Sequence, residues 1–128
     1  NEEESESSSE QERKRLDYNA HVFLLTGDHP EIVKVCNIKY IESDSEYSRV
    51  FTSDGKKHYV RRLLKVWEEI LPSEEFLRIH RSTIINLSFV KNMEKWFNNS
   101  YRVFLNGVDD PFIISRRFSA RLRSRLNL

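Results

Sequence analysis

Cysteine occurs once in the 128 residues, at Cys36, so no internal disulfide can form. Nothing then calls for an oxidising compartment, and a cytoplasmic location is the expectation. Glycine and proline are scarce at three each, and every glycine (Gly27, Gly55, Gly107) sits beside polar residues in a turn-like stretch. That leaves no glycine-rich loop to cradle a phosphate, and there is no G-x-S-x-G elbow to present a nucleophile. The four histidines, His21, His29, His58 and His80, show no metal-ligand spacing, and one cysteine supplies no ligand pair, so neither a zinc site nor any cofactor is expected. His80 and Ser82 can be drawn as base and nucleophile. Such chemistry also needs an oriented base and an oxyanion donor set, which the sequence does not display, so no enzyme is expected. No apolar run approaches the roughly 18 residues of a membrane-spanning helix, and the N-terminus is acidic rather than a signal peptide. The chain opens on Asn and its one methionine is Met93, which reads as a piece of a longer protein starting in a linker.

What is present is enough for one domain: 38% hydrophobic residues, 12% aromatic, and a net charge of +1 that hides an asymmetry. Residues 1–17 carry seven acids (Glu2, Glu3, Glu4, Glu6, Glu10, Glu12, Asp17) against three bases, a net of −4, which leaves +5 for residues 18–128. The first segment is too poor in apolar residues to bury itself and reads as a flexible acidic linker. The remainder, 18–128, reads as a basic domain whose end, from Ile114 to Leu128, holds five arginines and no acid. That balance favours an anionic partner.

The punctuation is that of a β protein. His21–Leu25 and Glu31–Val35 flank a Gly27/Pro30 turn, Ile38–Glu42 and Tyr47–Thr52 flank a polar loop, and Tyr47–Thr52 and Lys57–Arg61 flank Asp54-Gly55. Tyr101–Leu105 and Pro111–Ile114 repeat the device around Asn106-Gly107. Asp-Gly and Asn-Gly favour hairpins because glycine accepts the positive φ of the turn. Two stretches depart from period two: Arg62–Leu71, with apolar residues at helical spacing and Pro72 to end it, and the segment after Ser115, where Phe118, Leu122 and Leu126 recur every four residues. About nine strands and one or two short helices are expected, a mainly β fold of small antiparallel sheets.

Several motifs follow in one order: Ile38-Lys-Tyr-Ile-Glu-Ser43, Tyr47, Asp54-Gly55-Lys56, Leu71-Pro72, Phe76-Leu-Arg-Ile-His-Arg-Ser82, Ile84-Ile-Asn86 and Ile114-Ser-Arg-Arg-Phe118. Over His21 to Leu126 this resembles the LytTR DNA-binding domain, an output module of bacterial response regulators. The resemblance implies an elongated, β-rich domain whose inter-strand loops enter successive major grooves of double-stranded DNA. It also implies an upstream receiver or sensor module and a dimer on a direct-repeat site. Base contacts then fall to Ser48, Arg81 and Arg117. Among those three positions, arginine's planar fork of donors, which matches guanine O6 and N7 together, favours Arg81 and Arg117. His80, Arg116, Lys57, Arg49 and Arg121 suit phosphate contacts. His80 is expected to fix its loop by bonding a backbone carbonyl, and Ser82 and Asn86 to satisfy main-chain groups nearby. Thr83 stands where the family often has an aromatic, Phe118 where it has Tyr, and Glu46 would repel a phosphate. A β-rich protein-interaction module without DNA binding is the alternative.

Overall fold

A computed structural model of the chain describes residues 15–126, so residues 1–14 of the expected 1–17 linker lie outside the described residues. Ten strands form three antiparallel sheets. The first is a hairpin of β1 (His21–Thr26) and β2 (His29–Lys34). The second has five strands in the order β5-β4-β3-β7-β6: β3 (Ile38–Asp44), β4 (Tyr47–Thr52), β5 (Lys57–Val60), β6 (Phe76–His80) and β7 (Thr83–Asn86). The third joins β8 (Val90–Lys95), β9 (Tyr101–Leu105) and β10 (Phe112–Ile114) in the order β10-β9-β8. Helix α1 (Leu64–Ile70) separates β5 from β6, and α2 (Arg116–Leu126) follows β10.

The strand beyond the expected nine is β8. Only Val90 and Met93 are apolar in it, and both are merely half-buried at the rim of its sheet. An edge strand contributes backbone pairing with little side-chain burial, so its apolar alternation is too faint to read. Helix α1 is shorter than expected: Leu63 is extended and exposed, and the helix ends at Ile70, where the Leu71 N–H bonds Trp67 O ahead of Pro72. The first hairpin is tighter than expected, with Pro30 inside β2 opposite Leu25, a place open to proline because the sheet has only two strands and both are edges.

The core is double. Val22, Leu24, Val35, Ile38, Ile41, Val50, Trp67 and Leu71 belong to one cluster, and Ile79, Val103, Leu105, Ile114, Phe118 and Leu122 to the other. The wall between them is the β6/β7 pair. Phe76 and Ile84 face the first cluster, while Leu77, Ile79 and Ile85 face the second, as strand alternation requires. All four residues of β7 are therefore buried, the apolar Ile84 and Ile85 and the flanking polar Thr83 and Asn86 alike.

Candidate nucleic-acid interface

At the far end of that wall, β6 and β7 are joined by the exposed turn that carries His80, Arg81 and Ser82. The register there is irregular. Arg78 pairs with Ile84 and His80 with Thr83, so Ile79 is an extra residue on β6. A bulge bends a strand and re-aims the side chains that follow it. Within the turn the Ser82 N–H donates to His80 Nδ1 at 3.2 Å, and the Ser82 hydroxyl lies 2.9 Å from the same nitrogen. His80 thus fixes its loop through a backbone N–H rather than the carbonyl that was expected. With Nδ1 occupied as an acceptor, the ring proton sits on Nε2. This His80–Ser82 contact closes a two-residue turn, and among the described residues no third group orients the ring through a hydrogen bond as a catalytic base requires.

The turn is anchored from three directions. Ser43 N–H donates to Ser82 O at 2.9 Å, which fastens it to the end of β3. Arg78, only 20% exposed, donates from Nε to His80 O at 3.3 Å and from Nη2 to Arg81 O at 2.5 Å. The third side of the Arg78 guanidinium meets Glu68 of α1, Nη1 to Oε1, at 3.2 Å. Arg81 itself is exposed and has no carboxylate partner among the described residues.

The second arginine motif meets the first through the backbone. Ser115 N–H donates to Ile79 O at 3.2 Å, and the Ser115 carbonyl accepts from the Phe118 and Ser119 N–H groups as α2 begins. The start of α2 is therefore set against the last residues of β6. Phe118 and Leu122 face the core, which leaves Arg116, Arg117, Arg121, Arg123 and Arg125 exposed on the outer side. Arg117 lies over the Phe118 ring at 5.5 Å and, like Arg116, has no acidic partner among the described residues. Arg121 lies over the same ring at 5.1 Å and also pairs with Glu68 Oε2 at 3.2 Å.

The remaining candidates divide. Ser48 is fully buried, its hydroxyl donating to the Arg62 carbonyl, so it does not face a partner and the expectation of base contact there is corrected. Strand β4 alternates, and Ser48 falls on the inward side with Val50 and Thr52. Arg49 is half-buried between Asp44, at 3.0 Å, and Glu42, at 3.6 Å, and its charge is already balanced inside the sheet. Next to it, Tyr59 donates to Asp44 at 2.8 Å, which pushes its phenol above the ordinary range, and its ring stacks on Tyr47 at 4.7 Å. Lys57 is exposed at the start of β5, and Glu46 pairs with Arg61 at 3.2 Å. Asn86 is fully buried, accepting from Ser88 N–H at 3.0 Å and donating to Ile38 O at 2.9 Å and Tyr18 Oη at 3.0 Å. It supports the scaffold and cannot reach a surface partner.

Two residues that organise this surface, Arg78 and Glu68, are not among the site residues expected from the sequence. Arg78 stands inside the diagnostic motif and could have been picked out there. Glu68 carries no signal, because its partners lie 10 and 53 residues away.

A family model described as the LytTr DNA-binding domain matches residues 30–127. The sensory transduction protein LytT of Bacillus subtilis is 30% identical over 106 residues, covering 82% of this chain and 43% of that protein. The CO-responsive transcriptional regulator RcoM of Rhodospirillum rubrum is 34% identical over 109 residues, covering 85% of this chain and 46% of that protein. The chain thus spans less than half the length of these relatives. Among solved structures, the LytTr DNA-binding domain of a putative methyl-accepting/DNA response regulator from Bacillus cereus superimposes with a TM-score of 0.76 over 85% of this chain and 98% of that one, at 21% identity.

Proposed function

Because the chain belongs to the LytTR DNA-binding domain family, we propose that it reads specific sites in double-stranded DNA through two arginines, Arg81 and Arg117, as the output module of a transcription regulator. The observation that carries this reading is the Ser115–Ile79 backbone bond, which brings the two arginine motifs to one end of the β6/β7 wall. There both guanidinium groups are exposed and without carboxylate partners among the described residues. Each offers the fork that pairs with a guanine edge in a major groove. Arg116 and Lys57, exposed and unpaired among the described residues, supply phosphate contacts, and the His80 Nε2 proton is available for another. Arg121 serves less directly, since Glu68 already holds part of its charge. The chain works within a longer protein, joined to an upstream receiver or sensor module, and two copies engage a direct repeat. Tethering two weak binders raises the effective concentration of the second, so affinity on the double site comes from linkage rather than from new contacts.

The test begins with duplexes selected from a random pool by the wild-type protein, followed by titrations against salt with Arg81→Ala, Arg117→Ala and Lys57→Ala. Each arginine variant is expected to lose about 1–3 kcal/mol on the selected duplex and to relax preference at its own base position. Lys57→Ala weakens all sequences alike and flattens the salt slope by about one unit. In the same series, a forced dimer gains on two repeats over one, whereas the lone domain does not. Absence of any DNA binding at low salt sinks the proposal and leaves the protein-interaction reading.

A further inference from the structure

We propose that Glu68 is a positioning residue for DNA reading: one carboxylate on α1 holds both the Arg81 turn and the arginine helix α2, and so sets sequence discrimination without touching DNA. This rests on the assignment of Arg81 and Arg117 as base readers. Its own ground is the division of labour at the carboxylate, where Oε1 takes Arg78 Nη1 and Oε2 takes Arg121 Nη1, each at 3.2 Å. Arg78 passes the constraint on, because its two other nitrogens grip the carbonyls of His80 and Arg81. Each nitrogen of that guanidinium is thereby engaged, and the peptide that carries the Arg81 side chain hangs from it. Arg121 passes the constraint to the other reader, lying one helical turn after Arg117 on the same face of α2 and against the same Phe118 ring.

The anchor is itself held. Arg15 Nη1 donates to the carbonyls of Glu68 and Leu71, both at 2.7 Å, and takes up acceptors that the last turn of α1 leaves free. Glu68 lines a groove of about 520 Å³ that Arg15, Arg78, Arg121 and Arg125 also line. Among the described residues of that lining, its negative charge is the only one. A carboxylate at this point lowers the attraction of the surface for phosphate, so charge alone does not account for it on a DNA-binding face. Positioning does.

Neutralising Glu68 therefore has two opposite consequences. In Glu68→Gln the surface gains one net positive charge and frees Arg121, so binding to a scrambled duplex tightens and its salt slope steepens. The Arg81 turn and α2 lose their common support, so preference for the selected duplex over the scrambled one falls by about fivefold or more, within the range that one misaligned base contact commands. Arg78→Lys keeps the charge but loses the fork on the two turn carbonyls. It is expected to lower the same ratio with the salt slope unchanged.

The experiment measures both variants in the full chain against wild type, on the duplex selected by wild type and on its scrambled counterpart across salt, with thermal unfolding run alongside. A lowered ratio together with tighter scrambled binding supports the proposal. An unchanged ratio in folded Glu68→Gln, with both duplexes bound more tightly, overturns it and reduces Glu68 to a surface charge. If Glu68→Gln does not fold, Arg78→Lys decides: a lowered ratio upholds the positioning role and an unchanged one ends it. Failure of wild type to distinguish the two duplexes removes the DNA-reading assignment and this inference with it.

Discussion

Ser48, a base-contact position implied by the family resemblance, and Asn86, the last residue of the Ile84-Ile-Asn86 motif, are polar residues whose chemistry is spent inward. Removing either leaves a partner without its bond: the part-buried Arg62 carbonyl in one case, and the buried Ile38 O together with Ser88 N–H in the other. A buried polar group left unsatisfied costs about 1–3 kcal/mol. Ser48→Ala and Asn86→Ala should therefore lower stability in urea unfolding, Asn86→Ala the more, while the folded protein keeps its preference between selected and scrambled duplexes. A change of base preference in Ser48→Ala would return that residue to the interface. The inward direction of Ser48 was legible, because Ser48, Val50 and Thr52 share one face of a period-two strand. The family resemblance pointed the other way, and Ser48 is buried. Glu68 was not legible, since no sequence period relates it to Arg78 or Arg121.

Between elements, the β1/β2 hairpin is tied to the five-stranded sheet by a polar chain as well as by Val22 and Leu24. Glu31 of β2 accepts from Thr26 Oγ1 at 3.0 Å and lies 3.1 Å from Nδ1 of the buried His58 of β5, whose Nε2 lies 3.2 Å from Thr52 Oγ1. The bond to His58, and after it the bond to Thr26, holds the Glu31 carboxyl below its ordinary value of 4.5. A carboxyl whose folded pKa is depressed stabilises the protein above its unfolded pKa and loses that contribution as pH falls through the folded value. The difference in urea midpoint between wild type and Glu31→Gln is thus expected to be constant above about pH 5 and to shrink below pH 4.5. A gap that does not change with pH would mean the carboxylate charge is not what matters there. Three of the hairpins were legible from their glycines; Gly55, at φ +84, occupies the backbone region that Asp-Gly advertises. This cross-sheet tie was not, because it joins residues 27 apart in different hairpins.

For the molecule as a whole, turn punctuation and period-two runs foretold the mainly β class, composition the arginine-rich end, and the paired motifs the family. Composition also placed the domain's start at residue 18, and the three residues before it are not idle. Leu16 packs against the first core cluster and its N–H donates to Ile70 O at 2.7 Å, while Arg15 grips the end of α1. A chain trimmed to 18–128 is expected to melt several degrees below one that begins at residue 13, since each degree-scale shift needs only a fraction of a kcal/mol in a domain of this size. Equal melting temperatures would put the start back at residue 18.

For anyone grafting this reader onto a foreign regulator, the junction then matters more than the length of the spacer. A splice upstream of Arg15 carries its own fastening and leaves the new module free to be chosen at will. A splice at residue 18 hands that fastening to whatever sequence the donor supplies, so a chimera can fold and yet lack the Arg15 support at the end of α1, which under the proposed role of Glu68 blunts its discrimination between duplexes.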